Sequence, residues 1–143
     1  MYSLIERLLL ESSEKDYQKT QLLISSIEDQ FDFVNDFMKK SISHILNHHH
    51  ILNSRLLSKN PESDLWDPLP LNFMSKLHAH NYIVTKNLIE QFFIENSNDR
   101  KITVFYNNLL HLFEHSNYHR SQIIYVMKSN ELKTPNLQMI MIQ

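Results

Sequence analysis

The stretch HLFEHSNYHRSQI, His111 to Ile123, sets three histidines four residues apart among apolar neighbours. A second group, His44, His48, His49 and His50, lies in SHILNHHHILNSRL. Of nine histidines in 143 residues, only His78 and His80 fall outside these two groups. Imidazole has the unperturbed pKa closest to neutrality, and its neutral form is the commonest protein metal ligand. A buried ring nitrogen left without a partner costs roughly 1–3 kcal/mol. A shared metal satisfies two rings at once, whereas carbonyls and carboxylates must be found for each ring separately.

Composition removes several rival chemistries. The chain has no cysteine, so disulfides, thiolate nucleophiles and thiolate metal sites are excluded within it. It has no glycine, which removes glycine-rich phosphate loops and the dinucleotide fingerprint. The lack of glycine also argues against a hairpin-rich β fold. Lys and Arg total 14 against 16 Asp and Glu, a net charge of -2. With no basic block, the footprint of a nucleic-acid binder is missing. No H-E-x-x-H occurs, and no Glu stands three residues before a His, so neither the zinc-protease helix nor the di-iron bundle motif is present. A Ser-His-Asp triad has no nucleophile-elbow motif to support it. No apolar run approaches the roughly 20 residues needed to span a bilayer. The beginning, MYSLIERLLLESSEKDYQ, lacks a basic leader and a small-residue cleavage site, so the expected location is cytoplasmic.

Helical periodicity dominates the elements that must carry these histidines. Helices are predicted over about Leu4–Gln30, Phe33–Ser58, Phe73–Asn96 and Val104–Asn130. Ser13 and Asp16 have capping-box spacing inside the polar run ESSEKDYQKT, so the first region is expected to restart there. Three prolines in KNPESDLWDPLPLN require a loop, and SNDRK breaks the chain before the last helix. The tail ELKTPNLQMIMIQ has a few apolar residues that can pack on the helices. The expected fold is therefore one all-α domain, a four-helix bundle with a long connection between helices 2 and 3.

At about 100° per residue, Phe105, Asn108, Leu112, His115, His119, Ile123 and Val126 share one face of the last helix, and His111 lies to one side. His115 and His119, one turn apart, can address the same point. On the second helix the apolar stripe is Val34, Met38, Ile42, Ile45, Leu52 and Leu56. His49 lies within it, His48 beside it and His44 at its edge, while His50 points away towards a partly solvated surface. Periodicity does not choose among the first three. His78 and His80, two residues apart, project from different sides of a helix and read as surface or lid residues.

HLFEHSNYHRSQI resembles the DinB superfamily signature, in which a histidine precedes His-Arg-Gly-Gln by four residues on the last bundle helix. SHILNHHHILNSRL is similar to that family's second-helix segment, with His44 and Arg55 at the matching spacing. MKSNELKTPN resembles its post-helix turn. The likeness covers roughly residues 30–140 and is strongest in the last helix. It implies a four-helix bundle, often dimeric, with a metal held by His44, His115 and His119, and with His48 as second choice on helical geometry. It implies that Arg120 and Gln122 hold the helix or a dimer contact. Ser121 departs from the usual glycine, which bears on how closely that helix packs.

The function that this resemblance implies is a metal-dependent enzyme. Three neutral histidines would hold a divalent ion, zinc or nickel ahead of manganese or iron, that activates a water or a low-molecular-weight thiol for transfer or hydrolysis. The expected partners are that small substrate and a second copy of the chain, with no nucleic acid or membrane. His111 or Glu114 would serve as a proton carrier, and Trp66, Phe73 and Tyr82 would line the mouth. The alternative is a non-enzymatic, stress-related (damage-inducible) dimeric bundle whose metal site is structural or vestigial.

Overall fold

The computed structural model describes residues 2–137. Four helices, α1 (Tyr2–Asp29), α2 (Asp36–Leu56), α3 (Leu71–Glu95) and α4 (Asp99–Ser129), make the all-α bundle expected from the sequence, and a short 3₁₀ turn, Phe31–Phe33, joins the first two. Two starts are fixed by asparagine caps, in which the Asn35 and Asn98 side chains accept from the Met38 and Lys101 backbone N–H groups. The Asn98 cap starts α4 at Asp99, about one and a half turns before Val104, the position expected from apolar periodicity. The chain lacks glycine for its helix ends, so Ser58 (φ 56°) and Glu131 (φ 59°) take the left-handed position instead. Lys59 and Leu132 then close the two ends by donating to the Ser54 and Met127 carbonyls.

α1 packs against α3 and α4, and so does α2. Side-chain partners set the directions. Tyr17 meets His78 and Gln21 meets Ser75, so α1 and α3 are antiparallel. Asn81 reaches Leu46 and Thr85 reaches His49, so α2 and α3 are parallel. His44 meets His115 and His48 meets His111, so α2 and α4 are antiparallel. The topology is up-down-down-up, and residues 57–70 carry the chain back along α2. Extended, they can reach about 45 Å, more than the roughly 30 Å length of the 21-residue α2.

The returning connection does not float free. The Asn47 amide donates to the Asp67 carbonyl at 2.8 Å and accepts from the Ser63 hydroxyl at 3.1 Å. The Leu69 N–H donates to Ser43 Oγ, and the Glu62 N–H donates to His50 Nε2 at 3.1 Å. His50 thus holds the loop and is half-buried rather than merely a surface ring. Covered by helices on one side and this loop on the other, residues 41–47 of α2 are all buried.

The core has two apolar ends with a polar belt between them. One end gathers Leu23, Ile24, Ile27, Met38, Ile42 and Ile123 among others, and the other gathers Leu9, Ile89, Phe105, Leu109 and Leu112. The belt explains the polar run in α1, which continues unbroken where a restart was expected. Ser13, Asp16 and Thr20 are buried on one helical face. Arg120 Nη1 donates to Asp16 Oδ1 at 2.6 Å and to Thr20 Oγ1 at 2.9 Å. Arg120 therefore holds α4 to α1, the first of the two roles its motif implies. Ser121 is exposed and donates to the Asn117 carbonyl, so it does not set a helix packing distance within the chain. Leu132 packs on the first apolar cluster, and Lys133 is pinned through its N–H and carbonyl to Gln30. The apolar end of the tail, residues 138–143, lies outside the described residues.

Removing one partner of a buried ion pair strands the other charge, at about 3–5 kcal/mol. Asp16→Ala is expected to lower the unfolding free energy by that amount, read as a lower urea midpoint with an unchanged slope. The double variant Asp16→Leu/Arg120→Met should recover most of the loss. A single-variant cost under about 1 kcal/mol would show that the pair does not hold α1 to α4.

Candidate metal centre

The centre of the buried face of α4 runs through Phe105, Leu109, Leu112, Ser116, Arg120 and Ile123. Periodicity centred that face on His115 and His119. The structure rotates it, because Ser116 and Arg120 turn towards α1, so the two histidines lie at the edge facing α2 and are half-buried. There they meet His44, which is 6% exposed. Ring centroids are 4.9 Å apart for His44 and His115, 4.7 Å for His44 and His119, and 4.5 Å for His115 and His119. One ligand nitrogen from each of the three rings lies within 4.8 Å of the others.

The returning loop selects the state of His44. Its Nδ1–H donates to the Leu65 carbonyl at 3.0 Å, because a carbonyl can only accept. In the neutral ring this leaves Nε2 as a bare lone pair, 3.1 Å from His115 Nε2. Two nitrogens each about 2.0–2.1 Å from one ion, at tetrahedral to right-angled geometry, stand about 2.9–3.4 Å apart. The His44–His115 spacing fits. A ring N–H held by a carbonyl is also the usual support for a ligating histidine. The Nδ1 atoms of His115 and His119 are buried without a hydrogen-bond partner. Trp66 from the loop stacks on His44, centroids 3.8 Å apart and planes within 11°, and Tyr118 meets His119 edge-on.

The electrostatics favour neutral rings. Burial, reinforced by the neighbouring histidines, lowers the His115 pKa to about 3. Burial also lowers His119, with His44 adding to the effect and a hydrogen bond to Gln122 opposing it. His48 falls to about 4 for the same reasons, chiefly burial and then His111. No carboxylate figures among the causes for these three rings. At pH 7 His115 and His119 offer lone pairs rather than charge, the state that a metal requires.

Several expected residues lie elsewhere. His48 stacks on His115 at 3.8 Å, but its nitrogens are not part of the three-ring group. His49, inside the apolar stripe by periodicity, turns to α3. There its Nε2–H donates to Thr85 Oγ1 at 2.6 Å, and Thr85 donates to Asn53 Oδ1. His78, expected at the surface, is buried and donates to the Tyr17 carbonyl at 2.9 Å, while His80 is exposed. Tyr82 stacks on Tyr17 on the α1 side, and Phe73 makes no ring contact with the histidines. Neither lines the site, although Trp66 does. Glu114 lies in a hollow with Lys15 and Lys19 of α1, away from the centre. His111 is exposed beside His48. The residues that sequence reasoning missed are Leu65, whose backbone oxygen orients His44, and Asn47 and Ser43, which hold the loop. Ser43 and Asn47 lie on the side of α2 away from its apolar stripe, and a backbone carbonyl such as that of Leu65 carries no side-chain signal.

The chain matches no family model, no curated protein and no solved structure. The site therefore stands on its own geometry. No helix among the described residues is long and apolar enough to cross a membrane.

Two outcomes follow. In untagged protein, His44→Ala should lose bound metal and His48→Ala should keep it, as measured by elemental analysis. The reverse pattern would make His48 the ligand from α2. The second concerns His49, whose pKa burial lowers from 6.5 to about 3. The unfolded chain then binds more protons than the folded one between these values, so His49 contributes stability above pH 6.5 that is lost as pH falls towards 3. His49→Gln keeps a donor for Thr85 but cannot titrate, so stability should fall less steeply with acid than in the parent. Equal slopes would contradict the assignment.

Proposed function

We propose that the chain is a metal-dependent enzyme of the DinB type, with His44, His115 and His119 as ligands and a small molecule as substrate. The observation that carries this reading is the His44 ring, pinned by Leu65 with its bare Nε2 turned to His115 Nε2 at 3.1 Å. Three histidine ligands leave coordination positions open, as catalytic metals require. His44, His115 and His119 would hold a divalent ion, zinc or nickel ahead of manganese or iron, which when bound would supply a Lewis acid that lowers the pKa of a water or a small thiol towards neutrality. The chain's own residues orient and shield. Leu65 fixes the His44 tautomer, and Trp66 covers one face of the ring while remaining 59% exposed itself. Low-molecular-weight thiols are the first substrate class by resemblance, with transfer to or from the thiol as the reaction. The same reading includes a homodimer. Exposed Phe37, Tyr118 and Tyr125 beside Ser121 and Gln122 offer an apolar face for it.

A specific observation favours the structural alternative. His48 packs on His115 and Trp66 on His44 at the same 3.8 Å, so two of the three ligand rings are backed by aromatic surface. Activity separates the readings. Metal-loaded protein should transfer at least one of a panel of small thiols, and His115→Ala should lose both metal and turnover. Stoichiometric metal with no turnover on any thiol, together with a lower melting temperature after chelation, would favour the structural reading. Equal sub-stoichiometric metal in parent and variant would defeat both.

A further inference from the structure

α2 ends before its neighbours do. The pairing of Thr85 with His49 and of His111 with His48 puts Leu56 opposite the region of Phe92 and Thr103. α3 continues to Glu95, and α4 begins at Asp99. About one further turn of α2 would be needed to complete this corner of the bundle. In its place the structure has a cavity of about 620 Å³, within the range of small-molecule sites.

The walls of the cavity have two characters. Leu56, Leu88, Phe92, Val104 and Phe105 form the apolar part. Phe92 and Phe105 lie face to face, centroids 4.0 Å apart and planes within 5°. Val104 is 56% exposed, an apolar residue left uncovered where α2 stops. The polar part is Arg100 and Lys101, on the first turn of α4. Neither makes an ion pair with a carboxylate among the described residues. The one carboxylate lining the cavity among the described residues, Glu95, accepts from Gln91 Nε2 at 2.6 Å. The Asn108 amide is likewise engaged, donating to the Val104 carbonyl.

We propose that this cavity binds a small amphipathic acid, an aromatic or medium-length alkyl body against Phe92 and Phe105 with its carboxylate held by Arg100 and Lys101. Two unpaired cations on the rim of an apolar hollow complement one compact anion attached to an apolar body. The cavity shares no residue with the three-histidine group, so the proposal does not rest on the metal reading.

The test compares naphthalene-2-carboxylate with naphthalene-2-methanol, by calorimetry on the full chain. Saturable one-to-one binding of the acid is expected, with the alcohol weaker. Leu88→Trp, which fills the cavity, should abolish binding of both. Arg100→Glu/Lys101→Glu should weaken the acid roughly tenfold and leave the alcohol unchanged. Added acids suit the first turn of a helix, so this variant is expected to fold. His115→Ala should bind the acid as the parent does. The proposal is overturned by absence of saturable binding, by full binding in Leu88→Trp, or by equal effects of charge reversal on acid and alcohol. Self-association of the chain that Leu88→Trp abolishes and the acid does not compete with would also overturn it, by assigning the cavity to a second copy.

Discussion

The layout depends on a belt of buried polar groups that must find partners across helices. An apolar stripe alone leaves a bundle free to slide and rotate, because one leucine packs much like the next. An Arg120 that must reach Asp16 and Thr20 cannot be moved by a turn without stranding a charge. The His49, Thr85, Asn53 and Asn81 chain does the same for α2 and α3. With α4 locked to α1 and α2 locked to α3, the remaining faces of α2 and α4 meet in one register. That register brings His44 to His115 and His119.

The long connection is the second determinant. An up-down-down-up chain needs a segment that runs the length of the bundle, and such a segment must satisfy its own backbone. Here it uses α2 as its template, through Asn47, Ser43 and His50. One of its carbonyls, from Leu65, falls on His44 Nδ1. The element that solves a topological problem therefore also sets the tautomer of a candidate ligand. The same connection leaves the other end of α2 one turn short, which opens the apolar cavity there.

The histidines show how far one dimension of information reaches. Helical spacing separated His115 and His119 from His111, and the structure keeps that separation. It put both rings at the centre of the buried face, which Ser116 and Arg120 occupy instead. The error has a cause. Hydropathy treats arginine and serine as outward-facing, and only an acid on another helix makes a buried arginine tolerable. The same bias assigned His78 to the surface, where α1 in fact supplies its partner, the Tyr17 carbonyl, and it split α1 at Ser13, which is buried.

By itself the sequence determined the helices, the loop forced by its prolines and a pair of imidazoles one turn apart on α4, since each of these is local and follows from spacing and backbone chemistry. Periodicity could not choose among His44, His48 and His49, which differ by fractions of a turn. Tertiary structure decided that choice. His49 is taken by Thr85, His48 lies flat against His115, and His44 is held by a carbonyl more than twenty residues away, with its Nε2 against His115 on α4. Hydrogen-bond partners lie on other elements, and only the packed fold brings them within reach.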